Sequence, residues 1–172
     1  MTLGLLILRV VAGVTMAGHG SQKLFGWFGG PGRAGTRGMT EQLGFRSPGA
    51  MAVLAGLSEF LGGIGFALGL LTPFAAIAIT IVMLNAIFTV HLTKGFWNTN
   101  GGLEYPLVIA AVAVAVSAIG PGNASLDAAF GIDGSLSGNW WAVIVALAAV
   151  VVSTATITAG RHGHEMPGHP AH

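Results

Sequence analysis

Glu59 lies inside the apolar run from Met51 to Leu71. An Asp or a basic residue near the centre of a membrane span costs about 2.5–3.5 kcal/mol on insertion scales, so an ionisable group there implies a partner or a cavity. Arg9 poses the same question in the first apolar run. Arg9 is ten residues before His19 and Glu59 is eleven after Pro48. At ~1.5 Å per residue both are about 15–16 Å from the inner ends of their helices. This spacing predicts an intramembrane ion pair, Arg9–Glu59. Asn85, seven residues before Leu92 and roughly 10 Å deep, is a candidate hydrogen-bonding neighbour.

A second polar layer is expected at the inner boundary. His19, Lys23, His91, Lys94, Trp97, Asn98, Asn100 and Glu104 belong to it. On a helix, Arg9, Gly13, Met16, Gly20 and Lys23 project to one side. One face would then run from the buried arginine to this layer. The expected site is a cavity open to the cytoplasmic interface, floored by Arg9–Glu59 and rimmed by the two histidines. Other readings stand beside it: the lysines snorkel at the boundary, the histidines are interfacial hydrogen-bond formers, and Arg9–Glu59 is a staple between helices. Two histidines with one or two carboxylates can hold a metal, but no HxxxH or HExxH spacing exists, and no metal site is expected.

The positioning elements are membrane helices. Of 172 residues 53% are hydrophobic and 8% charged, with a mean hydropathy of +0.76. Soluble domains carry roughly 25% charged residues, so this chain is read as an integral membrane protein. A formal charge of +1 says nothing about nucleic acid, and with no basic cluster of the binding type no nucleic-acid partner is expected. The absence of cysteine excludes thiol relays, cysteine-ligated iron–sulfur clusters and CxxCH haem. Met1–Gly20 lacks a basic region ahead of its apolar run and is read as a retained span rather than a signal peptide.

About 20 apolar residues cross the hydrocarbon as a helix. Five stretches qualify: 3–20, 48–71, 73–92, 103–119 and 140–159. Thr72-Pro73 reads as a tight hairpin, because proline suits a first helical turn. In the long connection 21–47, Leu24, Phe25, Trp27 and Phe28 resemble an interfacial anchor. Thr36–Phe45 reads either as a short amphipathic helix in the interface or as an irregular loop. Lys23, Arg33, Arg37, Arg46, Lys94 and Arg161 all fall on one side of five spans, and the other side has no Lys or Arg. That asymmetry predicts the N-terminus outside and the C-terminus in the cytoplasm. Glycines within spans one and two, including Ala52-x-x-x-Gly56 and Gly65-x-x-x-Gly69, predict their close packing. The tail 161–172 has four histidines with Gly and Pro and is expected to be mobile.

Three segments, LRVVAGVTMAGHGSQKLFG, GLSEFLGGIGFALGLLTPFAA and GLEYPLVIAAVAVAVSAIGPGNASLDAAFG, resemble the DoxX family from about Leu6 to Phe130. The resemblance implies an all-α, integral membrane four-helix bundle over residues 1–130. An additional fifth C-terminal transmembrane helix (131–160) and the His-rich tail (161–172) lie beyond that core, and the aromatic, Gly-rich stretch Phe25–Arg37 is longer than the family leads one to expect. Arg9, His19, Gly20, Lys23, Glu59, Gly63, Glu104 and Asp127 match the family's polar and glycine pattern. Its relatives include a small subunit of a thiosulfate:quinone oxidoreductase.

The implied role is a membrane subunit of an oxidoreductase complex with a pocket for a quinone head-group or lipid near the cytoplasmic interface. His19, Glu59 and His91 would be its catalytic residues, and Arg9, Lys23, Trp97 and Glu104 its cofactor-binding ones. The cofactor would be a non-covalent quinone, with Phe25, Trp27 and Trp97 at the pocket mouth. Electrons would come from a partner subunit, so the chain is not expected to be a complete enzyme alone. The competing class is a non-catalytic accessory or scaffold subunit in contact with membrane lipid. Solute or proton transport is a third reading, and no inverted repeat supports it.

Overall fold

The computed structural model describes residues 2–161; the His-rich tail falls outside them apart from Arg161. Seven α-helices and no strands form among them. They are α1 (Thr2–Phe25), α2 (Gly32–Gln42), α3 (Pro48–Leu68), α4 (Thr72–Ala86), α5 (Glu104–Ile119), the single turn α6 (Leu126–Ala129) and α7 (Asn139–Gly160). The helix of α4 continues through a π turn, Ile87–His91, and a 3-10 turn, Leu92–Lys94.

Four of these are long and apolar enough to cross a membrane: Leu3–Phe25, Pro48–Leu68, Thr72–Lys94 and Asn139–Gly160. The all-α membrane bundle is therefore borne out. The stretch expected as span four forms α5, an apolar helix of 16 residues. At ~1.5 Å per residue it is about 24 Å long, short of a typical hydrocarbon core of ~30 Å.

Glycine sets the principal seam. Gly13 and Gly20 of α1 face Gly63 and Gly56 of α3, and a Cβ on Gly13, Gly20 or Gly63 would strike the backbone of the facing helix. Backbones approach this closely only where both sides lack side-chain bulk. Gly65, expected on the same seam, instead faces Leu70 and Ala75. Between α3 and α4 the chain reverses as predicted. Gly69 (φ 62) and Leu71 (φ 47) adopt left-handed conformations, and Pro73 sits in the first turn of α4. The core filling the bundle includes Met16, Phe66, Ile79, Val116 and Val145, each no more than 1% exposed.

The helices collect the described basic residues other than Arg9 toward one end, called here the basic end, with Lys23 the farthest in, level with Leu57 of α3. There α2 forms within the long connection, and the Arg46 amide donates to the Gly160 carbonyl (2.8 Å). Arg161 Nε donates to the Leu43 carbonyl (2.7 Å), so the close of α7 is stapled to the α2–α3 link.

Candidate functional site

The expected Arg9–Glu59 pair does not form. Both side chains are buried, at 1% and 2% exposure, but Gly20 faces Phe60 while Gly13 faces Ala67. In that register Glu59 stands opposite Ser21, twelve residues and about 18 Å along α1 from Arg9. The depth estimate fails because α1 runs on to Phe25 and ends near Ala55 rather than flush with Pro48. The remaining length of α3 is covered by α2, whose Thr40 hydroxyl donates to the Pro48 carbonyl (2.8 Å).

Each buried charge has another solution. Arg9 reaches the end opposite the basic one, where Nη1 donates to Pro121 O and Nη2 to Ala124 O (2.5 Å). Asp127, fully buried nearby, accepts from the amides of Leu71 (2.7 Å) and Thr72 (3.0 Å) and from the Thr72 hydroxyl (2.7 Å). It thereby caps α4, where the helix dipole favours an anion. Glu59 is paired with Lys23, Nζ to Oε1 at 2.5 Å. This is the one ion pair among the described residues. Its other oxygen, Oε2, is buried without a partner.

Lys23→Met removes the donor from a buried carboxylate. The expected loss is about 1–3 kcal/mol, the cost of leaving such a group unsatisfied, and Lys23→Met/Glu59→Leu restores most of it. Thermal midpoints of the purified single and double variants measure this. A double variant no better than the single one would separate the pair from stability.

The remaining expected residues divide into two groups. His19 Nε2 is hydrogen-bonded to Tyr105 Oη (3.1 Å), joining α1 to α5. His91, Trp97 and Glu104 serve the connection from α4 to α5. His91 Nδ1 donates to Gly101 O (2.6 Å), Glu104 Oε2 accepts from the Asn98 amide (3.0 Å), and the Trp97 carbonyl accepts from the amides of Asn100 and Gly102. The Trp97 ring is 62% exposed and stacks edge-on with Phe96. The two histidines thus have separate partners, His19 on α5 and His91 within the α4–α5 connection. Among the described residues no group of three His, Cys, Asp or Glu could hold a metal ion.

A slot of about 320 Å³ opens between α2, α3, α4 and α7, and of the expected residues it takes Lys23 and Asn85 but neither histidine. Its walls are mainly apolar, with Met39, Leu43, Phe45, Met51, Leu54, Ile81 and Val152 among them. Thr36, Thr40, Thr89 and Thr156 also line it, but their hydroxyls are engaged by helix carbonyls. Lys23, Ser58 and Asn85 are left as its polar groups. Ser58 is ten residues into α3 and Asn85 nine before Lys94, so they lie about 13–15 Å from the basic end. The polar end of the slot is its deep end.

Sequence reasoning missed the slot because its walls are mainly ordinary apolar positions, and α7 contributes only the uncharged Val152 and Thr156. Tyr105 was missed too, although a lone tyrosine beside Glu104 in the boundary layer was a usable signal.

The sequence pattern of the DoxX family matches residues 4–92, just over half of the chain. The chain belongs to the DoxX family. No curated protein and no solved structure matches it. The DoxX match takes in α1 to α4, hence the glycine seam, the Lys23–Glu59 pair and three sides of the slot. It ends at Leu92, so the likeness read across residues 103–130 lies beyond it, as does α7.

Proposed function

We propose that this DoxX protein is the membrane subunit of an oxidoreductase complex and holds a quinone in the slot. The supporting observation is the slot's polarity: Lys23, Ser58 and Asn85 lie deep, and apolar walls extend toward the basic end. A pocket of this kind, mostly apolar with few polar groups, fixes a small ligand in orientation. A phospholipid would have to carry its charged head-group about 13–15 Å inward from the boundary, whereas an uncharged ring with a hydrocarbon tail meets no such cost.

In this reading Lys23 directs an N–H toward a ring oxygen, and Glu59, bonded to Lys23, takes up or returns a proton at its unbonded oxygen. His19 and Tyr105 extend the polar layer toward α5. The basic end faces the cytoplasm, in line with the bias of basic residues to that side. Electrons come from a partner subunit.

Photolabelling with a short-tail azido-benzoquinone tests the reading. Peptides from α3, α4 and α7 around the slot should carry the label. Ala55→Phe, which fills the slot from one wall, should reduce labelling at least tenfold and leave the bundle folded. Label spread evenly over the outward helix faces, or unaffected by Ala55→Phe, would sink the proposal.

One observation favours the accessory reading: His91, Trp97 and Glu104 build the α4–α5 connection itself. Under that reading a partner co-purifies with the chain while no quinone labels the slot.

A further inference from the structure

The slot lies in a gap between two helices. Both α3 and α7 pack along α4, but they hardly touch each other. Leu54 of α3 and Val152 of α7 line the slot, yet they are 54% and 42% exposed. They therefore belong both to the cavity and to the outer surface of the bundle. Val82 of α4, which also lines the slot, is buried behind them. Leu54 is six residues after Pro48 and Val152 nine before Arg161, so the opening lies about 9–14 Å inside the basic end. An apolar surface at that depth in a spanning bundle meets hydrocarbon rather than water.

The basic end of the slot is closed differently, by a clasp of backbone. An isolated antiparallel bridge pairs Phe45 with Arg161. The Arg46 amide holds the Gly160 carbonyl (2.8 Å), and Arg161 Nε holds the Leu43 carbonyl (2.7 Å). Leu43 and Phe45 line the slot just beneath this clasp, and Phe45 is only 8% exposed, its ring beside Gly160.

We infer that the slot is entered sideways from the bilayer, between α3 and α7. Its ligand then belongs to the class of membrane-dissolved molecules whose hydrocarbon tail leaves through this gap. The choice of a quinone ring as the head rests on the reading above; the entrance rests on the helices. A water-borne ring would have to part the clasp at the basic end. A tailed ring crosses only lipid and passes uncharged edges, because the Lys23 ammonium is held by Glu59.

Two photoprobes of similar size test this on the full chain in lipid nanodiscs. One is a neutral phenyl-diazirine, which dissolves in the bilayer; the other is its benzoate form, which stays in water. Peptide mass spectrometry after illumination locates the inserted carbenes. Val82 and Asn85 on the α4 wall should take the neutral probe at least tenfold more than the benzoate. Val152→Trp, which fills the gap from α7, should lower neutral labelling of that wall about fivefold and spare outward-facing Leu147. Equal labelling of the wall by both probes would place the entrance in water and overturn the inference. A wall left bare by the neutral probe in the wild-type protein would do the same, without recourse to any variant. So would a wall labelled as before in a folded Val152→Trp protein. The azido-benzoquinone keeps the two readings apart. A wall that the neutral diazirine reaches and the quinone never labels retains the entrance and removes the quinone, and the opposite pattern removes the entrance alone.

Discussion

Gly63→Leu is expected to destroy the bundle. A Cβ at this position would lie against the Gly13 carbonyl and the Ala17 backbone of α1, with no flexible side chain able to yield. Both helices would have to part along their length. The loss should exceed about 4–5 kcal/mol, the range reached by a few severe mechanisms, of which overpacking is one. Gly18→Leu is the matched control: it lies on α1 too, and nothing is within 4 Å of its Cβ position. The yield of monodisperse protein in mild detergent should collapse for the first and match the wild type for the second. Equal yields would show that the α1–α3 seam does not hold the fold together.

Asp127→Ala is expected to be the most damaging change at the end of the molecule opposite the basic one. It removes the acceptor for two amides and a hydroxyl at the start of α4. It also takes away the carboxylate whose field acts on buried Arg9. Each buried donor left without its acceptor costs about 1–3 kcal/mol. Asp127→Asn keeps one acceptor and should recover part of the loss. Because the two charges act on each other, Arg9→Leu/Asp127→Ala should be less destabilised than the sum of its single changes. Thermal midpoints for the four proteins of the cycle decide this, and strict additivity would show that Arg9 and Asp127 are independent.

Much of the fold was legible because membrane helices announce themselves by length and apolarity, and the Thr72-Pro73 reversal by its proline. The tight seam was legible in kind, since glycines crowd spans one and two. Which glycines meet was not: Gly56 and Gly63 face α1, whereas Gly65 faces the α4 side. The error over Arg9 and Glu59 has the same origin. Depth counted from helix ends assumes that helices finish together, and α2 occupies the space where α1 stops short. Lys23 was recognised as polar-site material and Glu59 as needing a partner, but only the register joins them. Asn85 was legible as a deep polar group, but its side-chain oxygen, buried without a partner, was not, because that depends on what every neighbouring hydroxyl already bonds.

The slot's construction divides the molecule by tolerance to change. Its deep polar end belongs to helices bound by the glycine seam and by buried charge, where almost any substitution is felt by the whole bundle. Its fourth wall is α7, whose Val145 belongs to the core and whose Trp141 packs edge-on against Phe74 of α4; the Ser153 hydroxyl donates to the Ile81 carbonyl (3.2 Å), and the Arg161 staple ties its end to the α2–α3 link. Val152 and Thr156 on that wall can vary in size without disturbing the α1–α3 seam. Chains sharing the first four helices could therefore diverge in what they admit by altering their last helix alone, a hinge-free route to new selectivity that leaves the inherited framework untouched.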